Sequence, residues 1–302
     1  MPLGELLGVI ATILGYVAIG VALRVTGVLK PEDAKPLNAV LLNVGLPALV
    51  FSSVHGAKIE RSLALVPALA WVVALVGLAA ALLLARVLKL PPAAAGAFVL
   101  AAVFGNTGYI GYPVAHALLG EPGLVRAIFS DIFGNTLAMI AVGALVAARI
   151  ARHEADVRPL KEIVTFPPFV ALALALATRG VDVPIAFMDW LGALGRIVVP
   201  LIMISVGLSL RPRKLKDQAG VVAAVAAVKL VVLPLVGLLA ARLILRDEAS
   251  ARVVVLEASV PTMMMAVIMG HRFDLDTDLI ASAVLVTTVV SVVAIPVWQM
   301  LV

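Results

Sequence analysis

The sequence predicts an all-α polytopic membrane protein: ten transmembrane helices as two inverted five-helix repeats, with the helices of spans four and nine broken. Three observations carry that expectation. The chain is apolar throughout, with 63% of its 302 residues hydrophobic, 14% charged and a mean hydropathy of +1.15; soluble domains carry about 25% charged residues. Ten apolar stretches are long enough to cross a bilayer. Two of them, in matching places of the two halves, are interrupted by helix-breaking residues.

Span one (5–24) opens the chain. MPLGELLGVIATILGYVAIGVAL lacks a basic n-region and an A-x-A cleavage site, so it reads as a retained helix rather than a signal peptide. Span two (36–54) contains Pro47, and span three (63–88) is continuous. Span four (93–119) includes FVLAAVFGNTGYIGYPVAHALL, broken by Gly105, Asn106, Thr107, Gly108, Gly111 and Pro113. Such breaks free backbone N–H and C=O groups, tolerated at membrane depth only where protein encloses them or a cavity is lined. Span five (124–149) carries Asp131 and Asn135. The longest polar connection, ARHEADVRPLKE at 150–161, reads as a cytoplasmic linker between a first repeat (1–149) and a second (162–302). Spans six (163–179), seven (187–210, with Pro200) and eight (218–245, with Lys229) follow. Span nine (250–271) contains VVVLEASVPTMMMAVIMG, with Glu257 one turn before Pro261, and span ten (276–301) closes the chain.

The halves echo each other in spacing. Pro47 and Pro200 are 153 residues apart, as are Gly108 and Pro261. Five spans per half, an odd number, make the second half enter from the opposite side, so the repeat is inverted. With the N-terminus outside, fourteen Lys and Arg residues fall in cytoplasmic loops and seven in outer loops, so both termini are expected outside. Arg242, Arg246 and Arg252 are the main dissent.

Other classes are disfavoured. The net charge of +5 sits in short loops, a topology signal rather than a nucleic-acid footprint. Cysteine is absent, which excludes disulfides and thiolate chemistry. The four histidines, His55, His116, His153 and His271, are scattered without H-E-x-x-H, which argues against a metal centre. No G-x-S-x-G or nucleotide-binding motif occurs, so neither an intramembrane enzyme nor an ATP-driven pump is indicated.

The residues that carry the pattern resemble a known family. LNAVLLNVGLPALVFSSV in span two, with Asn38 and Pro47, GNTGYIGYPVAHALLG in span four, with Asn106, Thr107, Gly111 and Pro113, and EASVPTMMMAVIMGHRFDLDTDLIASAVLVTTVVSVVAIPVW in spans nine and ten, with Pro261 and Pro296, resemble the auxin efflux carrier family. That family comprises plant PIN-type auxin carriers and bacterial carriers of malonate- and malate-like anions. The resemblance covers essentially the whole chain. It implies ten helices in two inverted repeats, two crossover helices, outside termini, often a homodimer, and residence in a lipid bilayer, here a bacterial inner membrane. Two departures stand out: the inter-repeat loop is a dozen residues rather than long, and span three lacks the acid–lysine pair of plant members.

Breaking two helices at one depth creates four half-helix ends. Half-helix N-termini offer free N–H groups to a carboxylate, and C-terminal carbonyls suit a cation. Asn106 and Thr107 add side-chain groups there, though Asn also caps helix ends. Glu257 costs a few kcal/mol within a span and should face the bundle interior. It reads as a Na⁺ ligand or a proton carrier, or else as the structural partner of Lys229. Asp131 and Asn135, four apart, share a helix face; with Asn106 and Glu257 they are similar to the sodium sites of bile-acid symporters. Asp131 could instead lie near the outer surface, close to Arg126. Lys229 is open to pairing with an acid, attracting an anion, or snorkelling.

The candidate substrate contacts are therefore Asn43 in span two, Asn106, Thr107, Gly108 and Pro113 in span four, Lys229 in span eight, and Pro261, Thr262 and Met263 in span nine. The candidate coupling-ion ligands are Asn106, Asp131, Asn135 and Glu257, with Na⁺ at Asn106, Asp131 and Glu257. No other cofactor is expected. Met263, Met264 and Met265 read first as adaptable packing. Ser205 and Ser209 are expected to bond their own backbone, and Thr287, Thr288 and Ser291 to aid helix packing. The expected function is a secondary carrier of small mono- or dicarboxylates by alternating access, coupled to Na⁺ or H⁺, in which the crossover bundle moves against spans one, two, six and seven. The alternative is a membrane receptor that binds such an anion without moving it.

Overall fold

The computed structural model describes residues 3–150, 158–209 and 218–302. Most of the 150–161 linker lies outside the described residues. Among those described, every regular element is helical and no strand forms. Six helical runs are long and apolar enough to cross a membrane: Pro31–His55, Leu65–Val87, Thr107–Ile150, Ile185–Ser209, Ala219–Ile244 and Thr277–Leu301. Leu14–Val25, Pro92–Val103 and Pro167–Ala177 are shorter apolar helices.

The Thr107–Ile150 run has 44 residues, which at 1.5 Å per residue is about twice a bilayer's hydrocarbon core. It is interrupted at Gly120, whose φ of 65° and ψ of −161° leave the helix just before Pro122. Only glycine takes that conformation without strain.

The chain forms two compact units, each drawing segments from both halves of the sequence. The first comprises Met1–Ile59, Pro113–Ile128 and Lys161–Leu210. Its helix Leu3–Val25 packs against Val198–Ser209 through reciprocal glycines. A Cβ on Gly20 would collide with the carbonyl of Ile204, and one on Gly207 with the carbonyl of Val17. Small residues at such crossings let two backbones touch, the main source of helix adhesion where lipid removes the hydrophobic drive. Ser205, on the same helix, donates to Asn38 Oδ1 at 2.8 Å rather than to its own backbone. Ser209 does bond its own helix, at Ser205 O.

The second unit comprises Glu60–Tyr112, Phe129–Leu160 and Arg211–Val302. Helix Pro92–Val103 is its core: every residue from Ala95 to Val103 is buried, as expected of a helix apolar on all sides. Leu65–Val87, Ala144–Ile150 and Thr277–Leu301 pack around it. Leu65–Val87 buries the stripe Leu69, Val73, Gly77, Ala81 and Ala85 at four-residue spacing and exposes Val72, Leu75, Val76 and Leu83. That is the pattern of a helix with one face on protein and the other on lipid. Helix Glu248–Ser259 starts on Asp247, whose carboxylate accepts from the N–H groups of Ala249 and Ser250. Asp276 caps Thr277–Leu301 in the same way through Leu279.

Candidate functional site

Spans four and nine are both broken, and both breaks lie in the second unit. Helix Pro92–Val103 stops at Phe104, which is extended (φ −91°, ψ 127°), and helical structure resumes at Thr107. Helix Glu248–Ser259 stops at Val260, also extended (φ −65°, ψ 153°), and resumes at Met265. The two irregular stretches pair as a single antiparallel bridge between Gly105 and Thr262. Asn106 N–H donates to Pro261 O at 2.8 Å, and Met263 N–H to Phe104 O at 2.9 Å.

Side chains satisfy four more of the backbone groups around the breaks. Asn135 Oδ1 accepts from Gly105 N–H at 3.1 Å, and its Nδ2 donates to Gly105 O at 3.0 Å. Thr287 Oγ1 accepts from Thr262 N–H at 3.0 Å. Thr262 Oγ1 donates to Ala101 O at 2.8 Å. A break at membrane depth survives only when its polar backbone is paired in this way.

A carboxylate network adjoins the first break. Asp131 is buried, 5% exposed. Its Oδ1 accepts from the hydroxyls of Thr107 at 2.6 Å and Thr136 at 2.7 Å, and its Oδ2 from Tyr112 at 2.7 Å. Asn135 Nδ2 also donates to Thr107 Oγ1 at 3.0 Å, joining Asp131, Thr107 and Asn135 into one cluster. Gly108 stands over it: a Cβ there would sit 3.2 Å from Asp131 Oδ2.

Lys229 and Glu257 line a neighbouring cavity of about 30 Å³, with Thr107, Ser130 and Asn135 as its other polar walls. Water needs some 10–15 Å³ by such a measure, whereas pockets for small-molecule ligands run to several hundred. The cavity fits water or an ion. Lys229 Nζ donates to Ala258 O at 3.0 Å. Glu257 is buried, and neither of its carboxylate oxygens has a hydrogen-bond partner among the described residues. It presses on Gly111, where a Cβ would collide with both oxygens. The two residues form no ion pair within 4.0 Å; Lys229 pairs with the backbone instead.

Thr107, Asp131 with Asn135, and Lys229 all sit in widened π-helical turns, Thr107–Gly111, Asp131–Thr136 and Val228–Val232. Such turns leave carbonyls unpaired and recur at functional sites. Tryptophan indoles cover two of them: Trp71 Nε1 donates to Phe133 O at 2.9 Å and Trp298 Nε1 to Leu230 O at 2.7 Å.

Ten of the twelve sequence-predicted positions fall within the second unit. Asn106 is buried there, but its side chain bonds no described residue. Pro261 and Thr262 are buried in the bridge, and Met263 is half-buried beside it. Asn43 and Pro113 belong to the first unit; Asn43 is exposed and donates to Ala39 O at 2.8 Å. Tyr112, Thr136, Ser130 and Thr287 were not singled out for the site by the sequence. Their signal was a hydroxyl in an apolar span, which alone does not separate a site from local backbone bonding.

The chain is similar to known membrane transporters. The family described as membrane transport protein matches residues 6–299. An uncharacterized transporter of Methanothermobacter thermautotrophicus is 34% identical over 293 residues, covering 96% of each chain. One of Methanocaldococcus jannaschii is 33% identical over 301 residues, again covering 96% of each. A Rhizobium meliloti protein named as a candidate malonate transporter is 25% identical over 202 residues, 65% of this chain and 63% of its own. An apolar helical chain matched over nearly its whole length is thus an integral membrane protein that belongs to the membrane transport proteins of the auxin efflux carrier family.

Proposed function

We propose that this protein is a secondary active transporter of small organic anions, mono- or dicarboxylates such as malonate or malate, working by alternating access under a cation gradient. The observation that carries the reading is the pairing of two broken helices, Gly105 against Thr262, beside a small cavity walled in part by Lys229, Glu257, Thr107, Ser130 and Asn135. Half-helix ends that meet at one place offer N–H groups to an anion and carbonyls to a cation. The buried amide of Asn106, which bonds none of the described residues and stands just before helix resumes at Thr107, supports an anion contact there. The likeness to the Rhizobium meliloti protein supports a carboxylate of malonate size.

Within this reading, 1–149 and 162–302 are inverted five-helix repeats, the broken helices cross, and the protein works as a homodimer in an inner membrane with both termini outside. Na⁺ and H⁺ are the two candidate driving ions, and Glu257, a buried carboxylate without a hydrogen-bond partner among the described residues, is the group that meets either. The test is uptake of labelled malonate, malate, acetate and an indole carboxylate into proteoliposomes, under an imposed Na⁺ gradient or pH gradient. Concentrative uptake of one or more carboxylates is expected. Binding without uptake would replace the carrier with a receptor.

A further inference from the structure

We infer that the ammonium of Lys229 is this protein's resident cation, held where a coupling Na⁺ would otherwise bind, and that transport therefore needs no Na⁺. The inference rests on the carrier reading above and narrows its driving ion.

Lys229 is 1% exposed and lies inside the Ala219–Ile244 run. Its ammonium touches both breaks. It donates to Ala258 O, one of the last carbonyls of the half-helix that ends at Ser259. It also lies against Gly105, where a Cβ would come within 2.9 Å of Nζ and 3.2 Å of Cε. A half-helix C-terminus is the place where free carbonyls and the helix dipole favour a cation. Here the chain supplies that cation itself, and glycine in the opposing break leaves room for it.

A free Na⁺ does not fit the remaining groups. Both oxygens of Asp131 are engaged by the hydroxyls of Thr107, Thr136 and Tyr112. No cluster of three or more His, Asp or Glu residues able to hold a metal ion occurs among the described residues. Of the two predicted carboxylate ligands, Glu257 has the oxygens left open, and they line the same small cavity as Lys229, whereas Asn106 is not among that cavity's walls. A second positive charge beside an ammonium in a poorly solvated cavity is repelled. The ammonium also supplies the buried Glu257 with a countercharge, without a direct bond. The groups that face Lys229 and its cavity are Glu257, with Thr107, Ser130 and Asn135 as neutral walls.

Removing the ammonium should open a Na⁺ site made of the Glu257 carboxylate and the Ala258 carbonyl. The experiment uses the full chain in two readouts, with NaCl compared against choline chloride. In detergent, thermal unfolding of the wild type should not respond to Na⁺, and that of Lys229→Met should shift upward with Na⁺. In proteoliposomes, malonate uptake by the wild type should be equal in the two salts. Uptake by Lys229→Met should rise about tenfold as Na⁺ goes from well below to well above its dissociation constant. The double variant Lys229→Met/Glu257→Gln should lose the Na⁺ response. Lys229→Gln, which keeps a donor for Ala258 O, serves if the Met variant does not fold.

A wild type that Na⁺ stabilises or stimulates overturns the inference, whatever the variants do. Folded Lys229 variants without a Na⁺ response also overturn it and reduce Lys229 to a helix cap. If the wild type takes up no carboxylate, the substrate reading fails, while the unfolding comparison still decides the cation.

Discussion

The side chain of Asn135 does for Gly105 what a neighbouring strand would do: it accepts from the glycine N–H at 3.1 Å and donates to its C=O at 3.0 Å. This one amide lets a helix stop inside the second unit without leaving these two backbone groups unpaired. Asn135→Leu should strand both, at about 1–3 kcal/mol each. A lowered unfolding temperature and a smaller yield of monodisperse protein are the expected results. Asn135→Ala with unchanged thermal stability would show that the break is held in another way.

Asp131 is held by three hydroxyls, and each should count separately. Thr136→Val removes one donor to the carboxylate and should cost about 1.5–3 kcal/mol, the range for a hydrogen bond to a charged group. Thermal unfolding of Thr136→Val beside Thr136→Ser, which keeps the hydroxyl, checks this: only the valine variant should be destabilised by that amount.

Gly111 and Glu257 should be coupled. A Cβ at Gly111 collides with the Glu257 carboxylate, so Gly111→Ala should lower stability by about 1–3 kcal/mol, as overpacking does. Shortening the acid relieves the collision. In a double-mutant cycle, Gly111→Ala/Glu257→Asp should be more stable than the sum of the single changes predicts. Additive effects would mean that the two residues do not meet.

The glycine pair of the first unit makes a separate prediction. Gly20→Leu and Gly207→Leu each drive a side chain into a backbone carbonyl of the partner helix, and backbone cannot swing aside as a side chain can. Each should reduce folded yield more than Gly8→Leu, which has open space around its Cβ position. Equal yields would contradict the close crossing.

What the sequence revealed followed from cost. Gly, Asn, Thr and Pro inside apolar spans, and Glu257 and Lys229 at mid-depth, are expensive in a bilayer and so stood out by residue type alone. What it hid was geometry. An ion pair was one reading of Lys229 and Glu257, but the lysine bonds Ala258 O, a backbone atom no residue pattern displays. Thr287 reads as a residue that aids helix packing. It does bond Ala283 O, and its oxygen also receives Thr262 N–H from the second break. The π-helical turns that aim Thr107, Asp131 and Lys229 leave no periodic trace over five or six residues. Asn43, the candidate contact in span two, lies exposed with its amide on its own helix.

Asn106 contrasts with Asn135: both stand at the first break, but the Asn106 side chain bonds none of the described residues. The most direct measurement is concentrative malonate uptake by wild type and Asn106→Ala, reconstituted in equal folded amounts. Uptake by the wild type and a loss of about ten- to a hundredfold in the variant, with unchanged thermal stability, is the predicted result for one lost hydrogen bond to a charged substrate. Equal uptake by the two would remove Asn106 and the paired breaks from substrate binding, and no uptake of any small carboxylate by the wild type would contradict the carrier itself.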